Sequence, residues 1–236
     1  MNRKFRSVRL RSARGLKPAV SVWPASALAL LCVIVLWLRQ TPSAAAADDW
    51  LPITPEELSM TSEPKAPGAP AIYLYRQVDR NDQTNFEENY VRIKILTEEG
   101  RKQGDVEILY FAHEVGIHNI RARTIHPDGT IINFTGKVYD KTVVKAGNLK
   151  YAAKTFTLPD VQVGSIIEYR YTVQEEPFLI FNSHWVLSED LFTRRAKFSV
   201  KLYTLMAARW QGQNLPPGAA LPKSAPDRVV KLEVND

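Results

Sequence analysis

Val91-Arg92-Ile93-Lys94-Ile95 is the stretch whose reading decides the fold. Apolar β-branched residues alternate with bases, the period of a strand with one face on a core and the other toward water. Two further stretches repeat the pattern. Ile167, Tyr169 and Tyr171 alternate with Glu168 and Arg170, and Phe198, Val200 and Leu202 alternate with Lys197, Ser199 and Lys201. On this reading Arg92, Lys94, Glu168 and Arg170 lie on solvated strand faces. If their strands are neighbours, Glu168 pairs with one of the bases, an exposed contact contributing only ~0.2–1 kcal/mol.

Working outward, strand patterns rich in β-branched and aromatic residues cover Ala71–Arg76, Val106–Phe111, Ile117–Ile125, Thr130–Phe134, Val138–Val144, Ala152–Leu158, His184–Leu187 and Val229–Val234. The breaks between them are turn-forming. His126-Pro127-Asp128-Gly129 separates two runs, Pro127 presetting φ and Gly129 supplying a positive one. Glu98-Glu99-Gly100 and Val163-Gly164 read the same way. No long helical period follows residue 62, which argues against βαβ units. The expected fold is all-β: an antiparallel β-sandwich over residues 71–236, preceded by a signal or anchor segment and a short helix.

That helix belongs to an entry segment, residues 48–70. Thr54-Pro55-Glu56-Glu57 is a capping box with proline at the first helical position, and the helix ends near Met60. Pro64, Pro67, Gly68 and Pro70 then impose an extended linker.

Residues 1–47 have the order of a secretory signal peptide. Arg3, Lys4, Arg6, Arg9, Arg11, Arg14 and Lys17 lead, residues 18–38 carry no charge, and Pro42-Ser43-Ala44-Ala45-Ala46-Ala47 offers small-residue cleavage sites. The 21 uncharged residues from 18 to 38 are also long enough for an uncleaved anchor. Either way the basic end stays inside and the body is extracytoplasmic, in the bacterial periplasm or secreted. Contact with a membrane is expected only through residues 18–38, if the leader is retained.

The net charge of +6 and pI near 9.4 are misleading. Residues 1–47 hold eight bases and no acid, which leaves 23 bases against 25 acids in residues 48–236, a net of −2. The body is therefore not a nucleic-acid binder by charge. Arg121, Arg123, Lys141, Lys145, Lys150 and Lys154 make residues 121–154 locally basic, but lysines on outer strands also guard against edge-to-edge pairing, and no interleaved aromatics suggest base stacking. The single cysteine, Cys32, lies in the leader. Its large preceding neighbour, Leu31, argues against lipidation.

Without a thiol in the body, a Cys-His-Asp site has no nucleophile. Val163-Gly164-Ser165-Ile166-Ile167 lacks the second glycine of a hydrolase elbow, so Ser165 reads as a turn-to-strand residue. His113, Glu114, His118 and His126 form a cluster in sequence with no ligand spacing of a known metal site. Trp50, Trp185 and Trp210 could stack on sugars, but packing roles suit them better. The expectation is of no catalytic residue, no metal and no cofactor.

The stretches RIKILTEEGR (92–101), RTIHPDGTI (123–131) and PDVQVGSIIEYRYTV (159–173), with PGAPAIYLYR (67–76) before them, resemble the bacterial domain of unknown function 3857 (DUF3857). The resemblance runs in order over roughly residues 50–236, with Leu96–Gly100 as a hairpin of its pattern. It implies the N-terminal β-sandwich of exported proteins in which a transglutaminase-like core, bearing the Cys-His-Asp site, usually follows. No position here matches those catalytic residues. Since the sequence stops in a late strand pattern at residues 229–234, it reads as a domain cut short at its C-terminal end, with an exposed edge and some unburied apolar surface. The expected function is a non-catalytic extracytoplasmic module that positions a partner or a core domain. The alternatives are a stand-alone hydrolase or a glycan-binding domain of the cell envelope.

Overall fold

The computed structural model describes residues 50–147, 149–176, 185–186, 189–204, 211, 213 and 227–235. The chain divides into two units, Met1–Leu51 and Pro52–Asp236. Of the first, only Trp50 and Leu51 are among the described residues, so the leader and its cleavage sites lie outside them, as do His184 and Trp210.

The second unit is a β-sandwich. In chain order its strands are β1 (Ala71–Asn81), β2 (Phe86–Ile95), β3 (Asp105–Ala112), β4 (Val115–Ile125), β5 (Ile131–Asn133), β6 (Tyr139–Ala146), β7 (Leu149–Thr157), β8 (Ile166–Glu175), β9 (Arg195–Lys201) and β10 (Val229–Asn235). Among the described residues seven strands form one sheet in the order β10-β9-β1-β2-β8-β4-β5, and three form the other, β3-β7-β6. Pairing is antiparallel except between β1 and β9, which run parallel with Arg76 opposite Ala196. Trp185 and Val186, inside the expected strand His184–Leu187, are not in a strand.

The layers close because β2, β4 and β8 turn one row of side chains toward β3 and β7. Ile93, Ile95, Ile117, Ala122 and Ile167 pack there with Val106, Ile108, Phe156 and Leu158. Phe156 meets Tyr169 edge-on, with ring centroids 6.2 Å apart, an arrangement aromatic quadrupoles favour. The opposite face of the large sheet is not left to water. Ile72, Leu74, Ile125 and Ile166 are covered by Ile53, Leu58, Met60 and Ala69 of the entry segment.

This covering corrects the solvated-face expectation. Arg92, Lys94 and Glu168 are buried along with Ile93, Ile95 and Ile167. The alternation is real, but it separates two buried faces, one apolar and one mixed. A period of two reports which side chains share a face, and cannot report what a segment forty residues earlier lays over it.

The turn at His126–Gly129 is as expected: Gly129 has φ 87° and its N–H donates to His126 O at 2.9 Å. Gly164, at φ 85°, passes so close to Pro127 that a Cβ there would meet its ring at 2.9 Å. The expected hairpin at Leu96–Gly100 is instead a 3₁₀ turn, Glu99–Gly104, that carries the chain from β2 to β3 in the other sheet. A two-strand pattern around a Glu-Glu-Gly break cannot tell a hairpin from such a crossover.

Helix α1 (Pro55–Ser59) has the full capping box. Thr54 Oγ1 accepts from Glu57 N at 3.2 Å, and Glu57 Oε2 accepts from Thr54 N at 3.0 Å. Thr54→Ala is expected to cost about 1 kcal/mol. Glu57→Ala is expected to cost more in the same urea titration, because Glu57 also binds Arg92. Equal losses would show that the second contact is idle.

Candidate functional site

Register builds the main polar constellation of the large sheet. Arg92 on β2 and Arg123 on β4 both stand opposite Glu168 on the intervening β8. Arg92 Nε donates to Glu168 Oε1 and Arg123 Nε to Oε2, each at 2.6 Å. Tyr90, two residues before Arg92 on the same face, donates its hydroxyl to Glu168 Oε1 and accepts from Arg92 Nη2 at 3.1 Å. Arg92 Nη1 reaches up to the entry segment, donating to Glu57 Oε2 at 2.8 Å and to Pro52 O at 3.1 Å. Burial, followed by the Glu168 charge, pushes the Tyr90 phenol well above its ordinary range.

Lys94 extends the cluster. Its ammonium is fully buried and donates to Leu58 O at 2.8 Å and Gly164 O at 2.6 Å. Burial lowers its pKa to about 8, against a smaller upward pull from Glu57. Between pH 8 and its ordinary value of 10.5, the unfolded chain therefore holds a proton that the folded chain has released. Lys94 alone is expected to add about 2 kcal/mol of stability from pH 8 to 10. Tyrosines whose phenols are raised by burial, such as Tyr73 at about 12, oppose this from about pH 9 upward, because the unfolded phenols ionise near 10 while the folded ones keep their protons. Urea titrations should show a rise between about pH 8 and 9, and the stability difference between the native chain and Lys94→Met should keep growing to about pH 10.

Chemically the constellation is closed. Glu168 is wholly inaccessible, and its two oxygens are taken by two guanidinium groups and a phenol. A carboxylate so placed has no room for a substrate atom, which a general base must approach within about 3 Å. What it does is join three strands to the entry segment. Sequence reasoning placed Glu168 with one of Arg92, Lys94 and Arg170 without saying which, and as an exposed pair; the structure selects Arg92 and buries it, and adds Arg123, Tyr90 and Glu57, which that reasoning missed. The available signal was Ile53, Leu58 and Met60 in the entry segment, apolar residues that need a surface to cover.

The other candidates lie apart. His113 is in the β3–β4 turn, His118 points outward from β4, and His126 Nε2 lies 3.0 Å from Asp160 O and 3.3 Å from its carboxylate. Among the described residues no group of three His, Cys, Asp or Glu side chains is placed to hold a metal. Ser165 is buried, its hydroxyl accepting from Gln162 N at 3.2 Å in the turn into β8. Trp185 stacks on Phe198 with centroids 5.4 Å apart, a packing role that withdraws one face from any sugar. An open cleft of about 350 Å³ at one end of the small sheet is lined by Asp105, Glu107, Phe134, Lys137, Tyr139 and Phe156. Asp105 is engaged there by Thr157 and Glu107 by Lys141.

Among solved structures, a putative protease from Parabacteroides distasonis aligns at 15% identity with a TM-score of 0.52, over 70% of this chain and 35% of its own. This chain thus spans about a third of that protein's length, and the likeness concerns the fold. Yeast LTA4 hydrolase aligns at 9% identity over 78% of this chain and 30% of its own, with a TM-score of 0.32, too low to establish a shared fold. No curated protein matches the chain. The model of the family described as a domain of unknown function with a solved structure, DUF3857, matches residues 81–236. That span holds β2 to β10, with Arg92, Arg123 and Glu168 at their shared register, and the chain belongs to the DUF3857 family.

Proposed function

We propose that the chain is a non-catalytic, extracytoplasmic β-sandwich module that positions a partner or a linked catalytic core. The observation that carries this reading is the closure of the Arg92–Glu168–Arg123 row. The groups best suited to acid–base chemistry are spent on holding three strands and the entry segment together. The fold likeness to about a third of a longer protein supports a part that works within a larger whole. The basic, apolar and small-residue order of residues 1–47 supports export, and a cysteine-free body suits an oxidising compartment.

The test has two arms. The full chain is assayed on ester and peptide substrates, alone and mixed with a transglutaminase-like core, and turnover is expected only with the core and to rise when the chain is added. Turnover by the chain alone that disappears on replacing His113, His118 or His126 would overturn the reading in favour of a hydrolase. Alkaline phosphatase fused after Asp236 should be active in cells, and an inactive, full-length fusion would defeat the extracytoplasmic placement.

A further inference from the structure

The three-stranded sheet has an outer face that is not built for water. On β3, Leu109 and Phe111 point away from the core at 49% and 47% exposure, and on β6 Val144 and Tyr139 stand at 49% and 56%. Register sets them on one side of the sheet. Phe111 lies opposite Tyr151 of β7, which lies opposite Val144, and Leu109, Ala153 and Lys141 form the next row. Together the apolar side chains of these rows leave roughly 400 Å² open.

Charge on this face is close to balanced. Lys141 leans on Glu107 at 3.2 Å, and Asp105, the first residue of β3, accepts from Thr157 at 2.6 Å. By strand alternation Lys145, Lys150 and Lys154 belong to the opposite face, where Lys154 meets Asp140 at 2.7 Å. An anionic surface would therefore find no excess of cations here.

Two other occupants fit poorly. A sugar chain needs ring faces that lie flat to it. The Phe111 and Tyr151 rings, 5.0 Å apart, are tilted by 47°, and Lys137 Nζ stands 5.1 Å over the Tyr139 ring. An added strand at the β6 edge would meet a β-bulge between Thr142 and Val144 flanked by lysines, features that discourage edge pairing.

A second copy of the chain fits in size and in charge. A standard interface takes about 800 Å² from each partner, somewhat over half of it apolar. The open apolar rows supply about that much once the aliphatic stem of Lys141 is counted with them. Two copies related by a two-fold axis would stack their three-stranded sheets about 10 Å apart, the spacing at which sheets pack within a sandwich. Each copy brings its own Glu107 and Lys141, so no unpaired charge is carried into the centre of the contact.

We propose that the outer face of the three-stranded sheet is the two-fold contact of a homodimer, built on Leu109, Phe111, Tyr139, Val144 and Tyr151. This contact goes beyond the positioning role and does not depend on it. The test is sedimentation velocity on the full chain in non-ionic detergent, which covers the leader equally in every variant. The native chain is expected to move from monomer to dimer as its concentration rises. In Leu109→Glu/Val144→Glu the dissociation constant should rise roughly tenfold or more. Val163→Glu, an equally simple change at an exposed turn residue, should leave it unchanged. Amide hydrogen exchange supplies a readout that needs no variant: Tyr139–Ala146 and Phe111 should exchange more slowly in the native chain as concentration rises. A native chain that stays monomeric throughout, or a dimer that the double substitution leaves intact in a folded protein, would overturn the proposal. So would dimerisation with no change of exchange at Tyr139–Ala146 and Phe111, since that would place the contact elsewhere. The core-turnover assay is read separately, so either idea can fail without the other.

Discussion

Glu168→Ala is expected to remove about 3–5 kcal/mol of stability, because two guanidinium groups would be left buried without their shared carboxylate. Arg92 and Arg123 each place Nε 2.6 Å from Glu168, and all three side chains are buried. Neither arginine can shed its proton to escape the cost. Against a typical total of about 5–15 kcal/mol, the loss is a large share of what keeps a domain folded. An exposed pair such as Arg101–Glu98 supplies the contrast, and Glu98→Gln should change stability by less than about 0.5 kcal/mol. The sharper comparison is the triple variant Arg92→Met/Glu168→Leu/Arg123→Met. Removing the whole row is expected to cost less than removing its centre, since buried ion networks replaced by apolar residues of similar volume are often neutral or better. Urea unfolding of the three proteins decides the matter. A Glu168→Ala loss below about 1 kcal/mol would mean that water reaches the arginines.

Gly100→Ala is expected to cost about 3 kcal/mol or more, for a steric reason unrelated to charge. A Cβ at Gly100 would lie 2.0 Å from Pro70 O and 2.8 Å from Pro70 C. Both are backbone atoms that cannot swing aside. Pro70 O is also the acceptor for Leu96 N at 2.9 Å and Thr97 N at 3.1 Å. The junction thus ties the end of the entry segment to the exit of β2, just before the 3₁₀ turn that changes sheets. Displacing it disturbs Ala71 and Ile95, both fully buried. For a domain of this size the midpoint of thermal unfolding should fall by roughly 6–12 °C. Gly68, at φ 79° with open space around its Cβ position, is the control. Alanine there meets only backbone strain, at about 1–2 kcal/mol. If the two substitutions cost the same, the close approach at Gly100 is not what matters.

The two substitutions probe features of unequal legibility. That Glu168 pairs with a base of the alternating stretches could be read from the sequence, because alternation fixes which residues share a face and opposite charges favour opposition; that the base is Arg92 required the strand register. The capping box at Thr54–Glu57 was equally plain, since its partners are three residues apart. The contact between Gly100 and Pro70 was not, for it joins points thirty residues apart whose meeting depends on how the linker lies. The same holds for Arg123. Its place beside Glu168 requires β4 to enter the large sheet next to β8 and β3 to leave for the other layer, and a Glu-Glu-Gly break is compatible with either course.

By itself the sequence determined the class of the fold, the period of its strands, the turn at His126–Gly129, the short capped helix and the family resemblance. Each rests on residues within a few positions of one another, where backbone sterics and side-chain alternation leave little choice. Tertiary structure alone decided that the charged face of the large sheet is roofed by residues 52–60. It also decided that β1 and β9 run parallel, and that Leu109, Phe111, Tyr151 and Val144 meet on an outer surface. Those outcomes depend on which segments come to lie against which, and burial is a property of the neighbour as much as of the residue.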